Sequence, residues 1–181
     1  MISEIVRSVI LNRRNKMCKD VTHKPFLSVI KRKFRVGLAD IDFNLHVNNS
    51  RYMVFMERGR WDHSVQTNTW DVMVKQKLNS IIAGIEMGYI REIRFGKTFD
   101  LETRCIGWDN KYVYLEQRFV VADKIYAYGL VKAVYFQRGK LITPASALAL
   151  LGVEQTSESL PQHLEIWKSL ASAKKEFSSA N

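Results

Sequence analysis

Four consecutive segments between residues 81 and 136 restrict the fold more than any other feature of this chain of 181 residues. Each alternates in polarity or is rich in β-branched and aromatic residues, as is typical of strands. The segments are 81–93, 99–108, 112–121 and 125–136. Short turn-forming stretches at 108–111 and 122–124 join neighbouring segments, so the sequence predicts an antiparallel meander.

One long helix should precede these strands. Asn48, Asn49 and Ser50 are good N-caps, because their side-chain oxygens can accept hydrogen bonds from the unpaired N–H groups of a first helical turn. Three large residues and one glycine then recur at helical spacing: Tyr52, Phe55, Met56 and Gly59. We therefore expect a helix from about 49 to 66. Gly59 in its interior costs about 1 kcal/mol relative to alanine, which a close approach of the sheet would justify.

The remaining elements complete an α+β architecture. A first strand is expected at 29–38, a short helix at 70–76, and C-terminal helices at 145–151 and 162–177. Packing favours a curved antiparallel sheet that wraps around the long helix and buries it on the concave face. The predicted divisions are a basic N-terminal helix or arm at 1–20, one domain at 21–155 and a C-terminal helix at 156–181.

Positive charge is concentrated at the N-terminal end. The net charge is +10, yet residues 1–35 hold ten Lys or Arg against two acids, which leaves only +2 for the remainder. Such an arm could contact a membrane surface, phosphates or nucleic acid, or it could be a solvated surface. A nucleic-acid partner is not expected, because aromatic residues are not interleaved with the basic run as a stacking platform requires. An apolar stripe within 2–10 fits either a membrane-surface helix or packing on the domain.

Cysteine and histidine spacing excludes several classes of protein. Cys18 and Cys105 lie far apart without a CxxC motif, so we expect no disulfide framework and a reducing, cytoplasmic compartment. The four histidines match no metal-binding spacing, so no metal site is predicted. No run of about 18 apolar residues is present to span a membrane.

The segment 39–52 contains the side chains best suited to catalysis. It places carboxylates (Asp40, Asp42), an imidazole (His46) and two carboxamides (Asn48, Asn49) in the loop directly before the long helix. A helix N-terminus presents unpaired N–H groups and the positive end of the helix dipole, which suit a developing oxyanion. Asp42 lies about one turn upstream and could direct itself or a water molecule at the same carbon. The alternative is that the acids only cap the helix and His46 only packs in the loop.

The pattern Asp-x-Asp-x-x-x-His-Val-Asn-Asn-x-x-Tyr resembles that of the 4-hydroxybenzoyl-CoA thioesterase-like hotdog proteins. The wider run from Arg32 to about Pro144, with Tyr-Ile-Arg-Glu-Ile-Arg at 89–94, is similar to their thioesterase superfamily member six-like branch. The resemblance implies a hotdog fold, a homodimer or dimer of dimers, and hydrolysis of a thioester of coenzyme A or acyl carrier protein without a cofactor. The chain departs from many members at Leu45, where they have glycine.

The resemblance also assigns roles within the motif. The second aspartate of the pair is the family's catalytic carboxylate, which here is Asp42, acting as nucleophile or general base. The amide that polarises the carbonyl falls near Asn49, and His46 is a third catalytic candidate. The candidates for substrate binding are Asn48, Tyr52, Arg91 and Arg94. Two alternatives remain: a non-catalytic acyl-CoA-binding protein of the same fold, and a basic peripheral membrane-binding protein.

Overall fold

The computed structural model describes residues 23–153 and 159–179, and the predicted helix at 1–20 lies outside them. The described residues form six strands and four helices. In chain order these are β1 (Ile30–Arg35), α1 (Asn49–Gln66), α2 (Thr69–Gln76), β2 (Leu78–Tyr89), β3 (Thr98–Trp108), β4 (Val113–Val121), β5 (Lys124–Gln137), β6 (Lys140–Ile142), α3 (Pro144–Leu150) and α4 (Gln162–Ser179). The division predicted at residue 155 falls in an undescribed stretch and stays a prediction.

The strands form one antiparallel sheet in the order β1-β3-β4-β5-β2, with β6 paired to β5. The predicted meander is present as β3-β4-β5, whose neighbours are joined by the two short turns. The sheet curls around α1, and aromatic rings from both elements fill the space between them, among them Phe34, Phe55, Phe99 and Phe119. The predicted hotdog arrangement is confirmed.

Helix α1 has the predicted bounds. The Asn48 side chain caps it, because its Oδ1 accepts a hydrogen bond from the Ser50 N–H at 2.9 Å. Gly59 lies against the sheet as expected: a Cβ there would be 2.7 Å from both Leu101 Cδ2 and Thr103 Oγ1. The absence of a side chain at Gly59 therefore lets the helix approach the concave face closely.

The predicted strand at 81–93 is wrong at both ends, since β2 spans Leu78–Tyr89. Beyond Tyr89 the chain turns away, because the N–H groups of Ile90 and Arg91 both donate to the Tyr126 carbonyl at 2.9 Å. The segment 93–95 then pairs with 45–47 in the loop before α1. Arg91 and Arg94 consequently lie in a connection, so the alternation of faces along a strand does not govern where they point.

The first strand also ends earlier than predicted, at Arg35 instead of residue 38. A short 3₁₀ turn, Leu38–Asp40, takes its place, closed by the Asp40 N–H donating to the Gly37 carbonyl at 3.1 Å. On the sheet face opposite α1, helix α4 packs through Leu164 and Trp167 against Tyr114 and Leu130. Within the described ranges no helix is long and apolar enough to cross a membrane.

Candidate active site

The loop between β1 and α1 is a tight turn held by backbone pairing. The Asp42 N–H donates to the His46 carbonyl at 3.2 Å, and the Leu45 N–H donates to the Asp42 carbonyl at 3.0 Å. On the other side, the Val47 N–H donates to the Ile93 carbonyl at 2.8 Å. These bonds fix the position of Asp42 relative to the start of α1.

Asp42 carries an accessible carboxylate on this turn. Its side chain is 25% exposed, and its Oδ1 accepts a hydrogen bond from the Asn44 N–H at 2.9 Å. His46 Nδ1 lies 3.8 Å from the same oxygen, which is beyond hydrogen-bonding distance, and 3.3 Å from the Val47 carbonyl oxygen. The structure therefore brings the predicted carboxylate and imidazole together, with the carboxylate open to solvent.

Asp40 has a different environment, although it lies only two residues away. It is 9% exposed, and its Oδ1 accepts hydrogen bonds from Arg51 Nε at 2.9 Å and Nη2 at 2.7 Å. Its Oδ2 accepts one from the Gly37 N–H at 3.0 Å. Asp40 thus ties the turn to the first helical turn of α1, while Asp42 remains available for chemistry.

Asn48 and Asn49 have different roles at the start of α1. The Asn48 Oδ1 accepts hydrogen bonds from both the N–H and the hydroxyl of Ser50, so this carboxamide is engaged as the helix cap. Asn49 is exposed at the first position of α1, and among the described residues no acceptor pairs with its backbone N–H. That N–H is a suitable donor for an oxyanion.

The other candidates for substrate binding lie in three different settings. Tyr52 is buried between Tyr89 and Phe119, with ring centroids 5.1 and 4.9 Å away, and burial raises its pKa to about 12. Arg91 donates to the Ile125 carbonyl at 2.9 Å, at the start of β5. Arg94 is exposed and ion-paired with Glu92, and its backbone lies opposite His46. Only Arg94 is adjacent to the turn, and all three substrate contacts stay predictions.

Leu45 adopts the left-handed conformation, with φ of 61°, which favours glycine. Its side chain is 62% exposed, so it points away from the packed part of the turn. The loop therefore accommodates leucine at this position without burying its side chain. Within the described ranges, no group of three or more metal-ligating side chains occurs.

Sequence reasoning did not find Arg51 as the partner of Asp40. It lies inside the motif, and its spacing from Asp40 across a loop gives no periodic signal. Only the folded turn brings the guanidinium and the carboxylate together.

Comparison with known proteins identifies a family and relatives that match this chain. The family model of the thioesterase-like superfamily matches residues 36–167. Protein THEM6 of Danio rerio is 33% identical over 119 residues, which cover 65% of this chain and 57% of that protein. The chain spans about half the length of several of the relatives that it matches.

Two solved structures share the fold. The probable thioesterase YbaW from Escherichia coli has a TM-score of 0.64 at 20% identity, covering 68% of this chain and 96% of its own. The Staphylococcus aureus protein SAV2348, solved in complex with CoA, has a TM-score of 0.59 at 13% identity, covering 79% and 96%. The tight turn with Asp42, the capped helix, the curled sheet and the family match lead to one conclusion: the chain belongs to the thioesterase-like superfamily.

Proposed function

We propose that this protein hydrolyses an acyl thioester of coenzyme A or acyl carrier protein, with Asp42 as general base or nucleophile. The observation that carries the proposal is an accessible carboxylate on the turn before α1 together with one unpartnered backbone N–H in the first turn of that helix. Asp42 lies on a rigid turn directly before α1, and the Asn49 N–H at the start of that helix has no acceptor among the described residues. The Asp42 carboxylate is the group that would attack or activate water, and the Asn49 N–H is the group that would stabilise the negative charge on the carbonyl oxygen.

Two routes fit this arrangement. In the first, Asp42 removes a proton from water, the water oxygen bonds to the thioester carbon, and the carbonyl oxygen becomes an oxyanion near Asn49. The carbon–sulfur bond then breaks, and the thiolate leaves and takes up a proton. In the second, the Asp42 oxygen displaces the thiolate to form a mixed anhydride, which water cleaves. Both routes give a carboxylic acid and a thiol, and neither needs a cofactor.

His46 has a supporting role in the proposal. Its Nδ1 is 3.8 Å from Asp42 Oδ1, so one water molecule can contact the imidazole and the carboxylate together. The contact of Arg94 with the turn suggests a place for a substrate phosphate, because a guanidinium pairs well with phosphate oxygens. The family match and the CoA in the related SAV2348 structure support coenzyme A as the thiol carrier.

Three further parts of the proposal concern oligomeric assembly, cellular location and membrane contact. A homodimer or dimer of dimers would cover the open edge of β2. Location in the cytoplasm agrees with two widely spaced cysteines. Contact of the basic N-terminus with a membrane surface involves residues outside the described part of the chain.

The test is turnover on a panel of acyl-CoA thioesters of different chain length and type, including aromatic acyl groups. Asp42→Asn should lower kcat by at least about a hundredfold with little change in KM, as removal of a general base typically does. Asp40→Asn is the matched control, since its carboxylate is already engaged by Arg51, and it should lose less than about tenfold.

Near wild-type turnover by Asp42→Asn would overturn the assignment of the catalytic residue. If wild type hydrolyses no thioester yet binds acyl-CoA as tightly as Asp42→Asn does, the protein is a non-catalytic acyl-CoA-binding member of the family.

A further inference from the structure

Two loops at one end of the sheet lie side by side and form a single surface. One is the loop between β1 and α1 (36–48), and the other is the last part of the connection between β2 and β3 (93–97). The Phe95 N–H donates to the Leu45 carbonyl at 3.0 Å, and the Gly96 N–H donates to the Val36 carbonyl at 3.0 Å. These bonds hold the two loops in a fixed relative position.

Four large apolar side chains of this surface project into solvent. We call them the apolar rim: Phe43 is 105% exposed, Leu38 75%, Leu45 62% and Phe95 50%. A phenylalanine as exposed as Phe43 gains almost no packing energy from its own chain. Clusters of large exposed apolar side chains mark surfaces that bind a partner or a membrane.

Leu45 is unfavourable in two ways within the chain itself. Its φ of 61° brings the steric penalty of a Cβ in the left-handed region, and its exposed side chain gains little packing energy in return. Residues held in such conformations are frequent at binding sites. We therefore expect this side chain to contact another molecule.

Two acids of the paired loops are neutralised by arginines. Asp40 accepts two hydrogen bonds from Arg51, and Glu92 is ion-paired with Arg94. The acid that keeps an accessible carboxylate on this surface is Asp42.

Two further cations border the apolar rim. Arg35 is the last residue of β1 and Lys97 directly precedes β3, and both are exposed. Arg35 Nε donates to the Gly96 carbonyl at 3.3 Å, which is a neutral partner. Within the described ranges no carboxylate lies within 4.0 Å of either cationic group. The rim therefore combines projecting apolar side chains with positive charges at its border.

We infer that the apolar rim docks onto the surface of a bilayer that contains anionic phospholipids. Phe43 and Leu45 enter the boundary between headgroups and acyl chains, while Arg35 and Lys97 contact lipid phosphates. The inference goes beyond the proposed hydrolysis and does not depend on it. If the protein hydrolyses long-chain thioesters, docking would hold Asp42 at the surface into which such substrates partition.

A second copy of the chain fits this surface less well than a bilayer does. A two-fold contact brings the same surface of both copies together, so Phe43 would meet Phe43 and find no pocket. Arg35 and Lys97 of the two copies would also approach one another, and like charges repel. A fluid bilayer accommodates projecting side chains, and its anionic headgroups complement the cations.

The test measures sedimentation of the full chain with vesicles of phosphatidylcholine that contain roughly a quarter phosphatidylserine, at about 0.15 M salt. No thioester is present, so failure of the proposed hydrolysis leaves the test intact. Phe43→Ser should weaken vesicle binding at least about tenfold, and Leu45→Ser at least about threefold. The basic N-terminal arm is present in every variant, so its contribution cancels in the comparison.

The matched control for Leu45→Ser is Leu141→Ser. Leu141 is 55% exposed on β6, at the opposite end of the sheet, and its replacement should leave vesicle binding unchanged. Lys97→Gln should weaken binding about three- to fivefold, whereas Lys140→Gln, which removes an exposed charge from β6, should not.

Three outcomes would overturn the inference. Wild type may not bind these vesicles, or folded Phe43→Ser and Leu45→Ser may both bind as wild type does, which would assign the binding to another surface such as the N-terminal arm. In the third, Phe43→Ser changes the mass measured by light scattering and leaves vesicle binding intact, so the rim joins two copies of the chain. If Leu45→Ser does not fold, Phe43→Ser decides, because its side chain is fully exposed.

Discussion

Arg51 donates two hydrogen bonds to one carboxylate oxygen of Asp40, from Nε at 2.9 Å and from Nη2 at 2.7 Å. This pair joins the turn before α1 to the first turn of the helix. Arg51→Gln leaves a buried carboxylate without its cation, so we expect the free energy of unfolding to fall by about 1–3 kcal/mol. Urea denaturation measures the change.

The matched control for Arg51 is Arg94→Gln. Arg94 also pairs with an acid, Glu92, but both side chains are well exposed, and such pairs contribute about 0–1 kcal/mol. Equal losses of stability in the two variants would contradict the structural role given to Arg51.

Leu45 is in the left-handed region with its side chain exposed. Glycine adopts this conformation without the steric penalty of a Cβ, so Leu45→Gly should raise the free energy of unfolding, or leave it unchanged within about 0.5 kcal/mol. Phe43→Gly is the control, since Phe43 is also exposed, more fully than Leu45, on the same turn but does not have a positive φ. It should lose stability, because glycine there only adds freedom to the unfolded chain. A larger loss for Leu45→Gly than for Phe43→Gly would show that the conformation of Leu45 is not strained.

Gly59→Ala tests the contact between helix and sheet. In an exposed helix the change would stabilise by about 1 kcal/mol. Here the new Cβ would meet Leu101 and Thr103 at 2.7 Å, and both neighbours are fully buried. Overpacking should outweigh propensity and lower stability by about 1–3 kcal/mol. In a Leu101→Ala background the same change should be less damaging, and an equal loss in both backgrounds would contradict this explanation.

These contacts also show what the sequence could predict. The bounds of α1 follow from local chemistry, a capping asparagine and a helical period, and both were right. Gly59 was interpretable because glycine destabilises a helix interior, and a close contact that excludes a side chain is the usual compensation. The candidate catalytic segment was visible because its polar residues are contiguous in the chain.

The ends of β2 were not predictable in this way. They depend on Tyr126, which takes the N–H groups of Ile90 and Arg91, and on the loop before α1, which pairs with residues 93–95. The burial of His63 was missed for a similar reason, because in sequence it is an ordinary polar position on a helix.

The open edge of β2 leads to a prediction about assembly. Among the described residues β2 pairs only with β5, and isoleucines along it, including Ile81 and Ile85, remain partly exposed. An unpaired apolar edge favours association with another strand. Light scattering should give twice the 21.0 kDa mass of the chain, or a multiple of that. Ile85→Lys should shift the protein toward the monomer, whereas Leu141→Lys on β6 should not. A wild-type mass of one chain at micromolar concentration would refute the dimer.

His63 should make stability depend on pH. Burial lowers its pKa from 6.5 to about 4, while its hydrogen bond to the Phe26 backbone acts weakly in the opposite direction. Between these two values the unfolded chain binds a proton that the folded protein excludes, so stability falls as the pH falls. The loss approaches about 1.4 kcal/mol per pH unit within this window and is absent above about pH 7.

His63→Asn isolates this effect, because asparagine can still donate to the Phe26 carbonyl but does not titrate. Urea denaturation of both proteins from pH 7.5 to 4.5 should show the stability of wild type, relative to the variant, falling by about 2 kcal/mol. His163→Asn, at an exposed position on α4, should leave the pH dependence of wild type unchanged. A constant difference between wild type and His63→Asn across this range would mean that the buried imidazole is protonated as readily in the folded protein as in the unfolded chain. In that case the Nε2 of His63, which is buried without a hydrogen-bond partner, would be open to solvent.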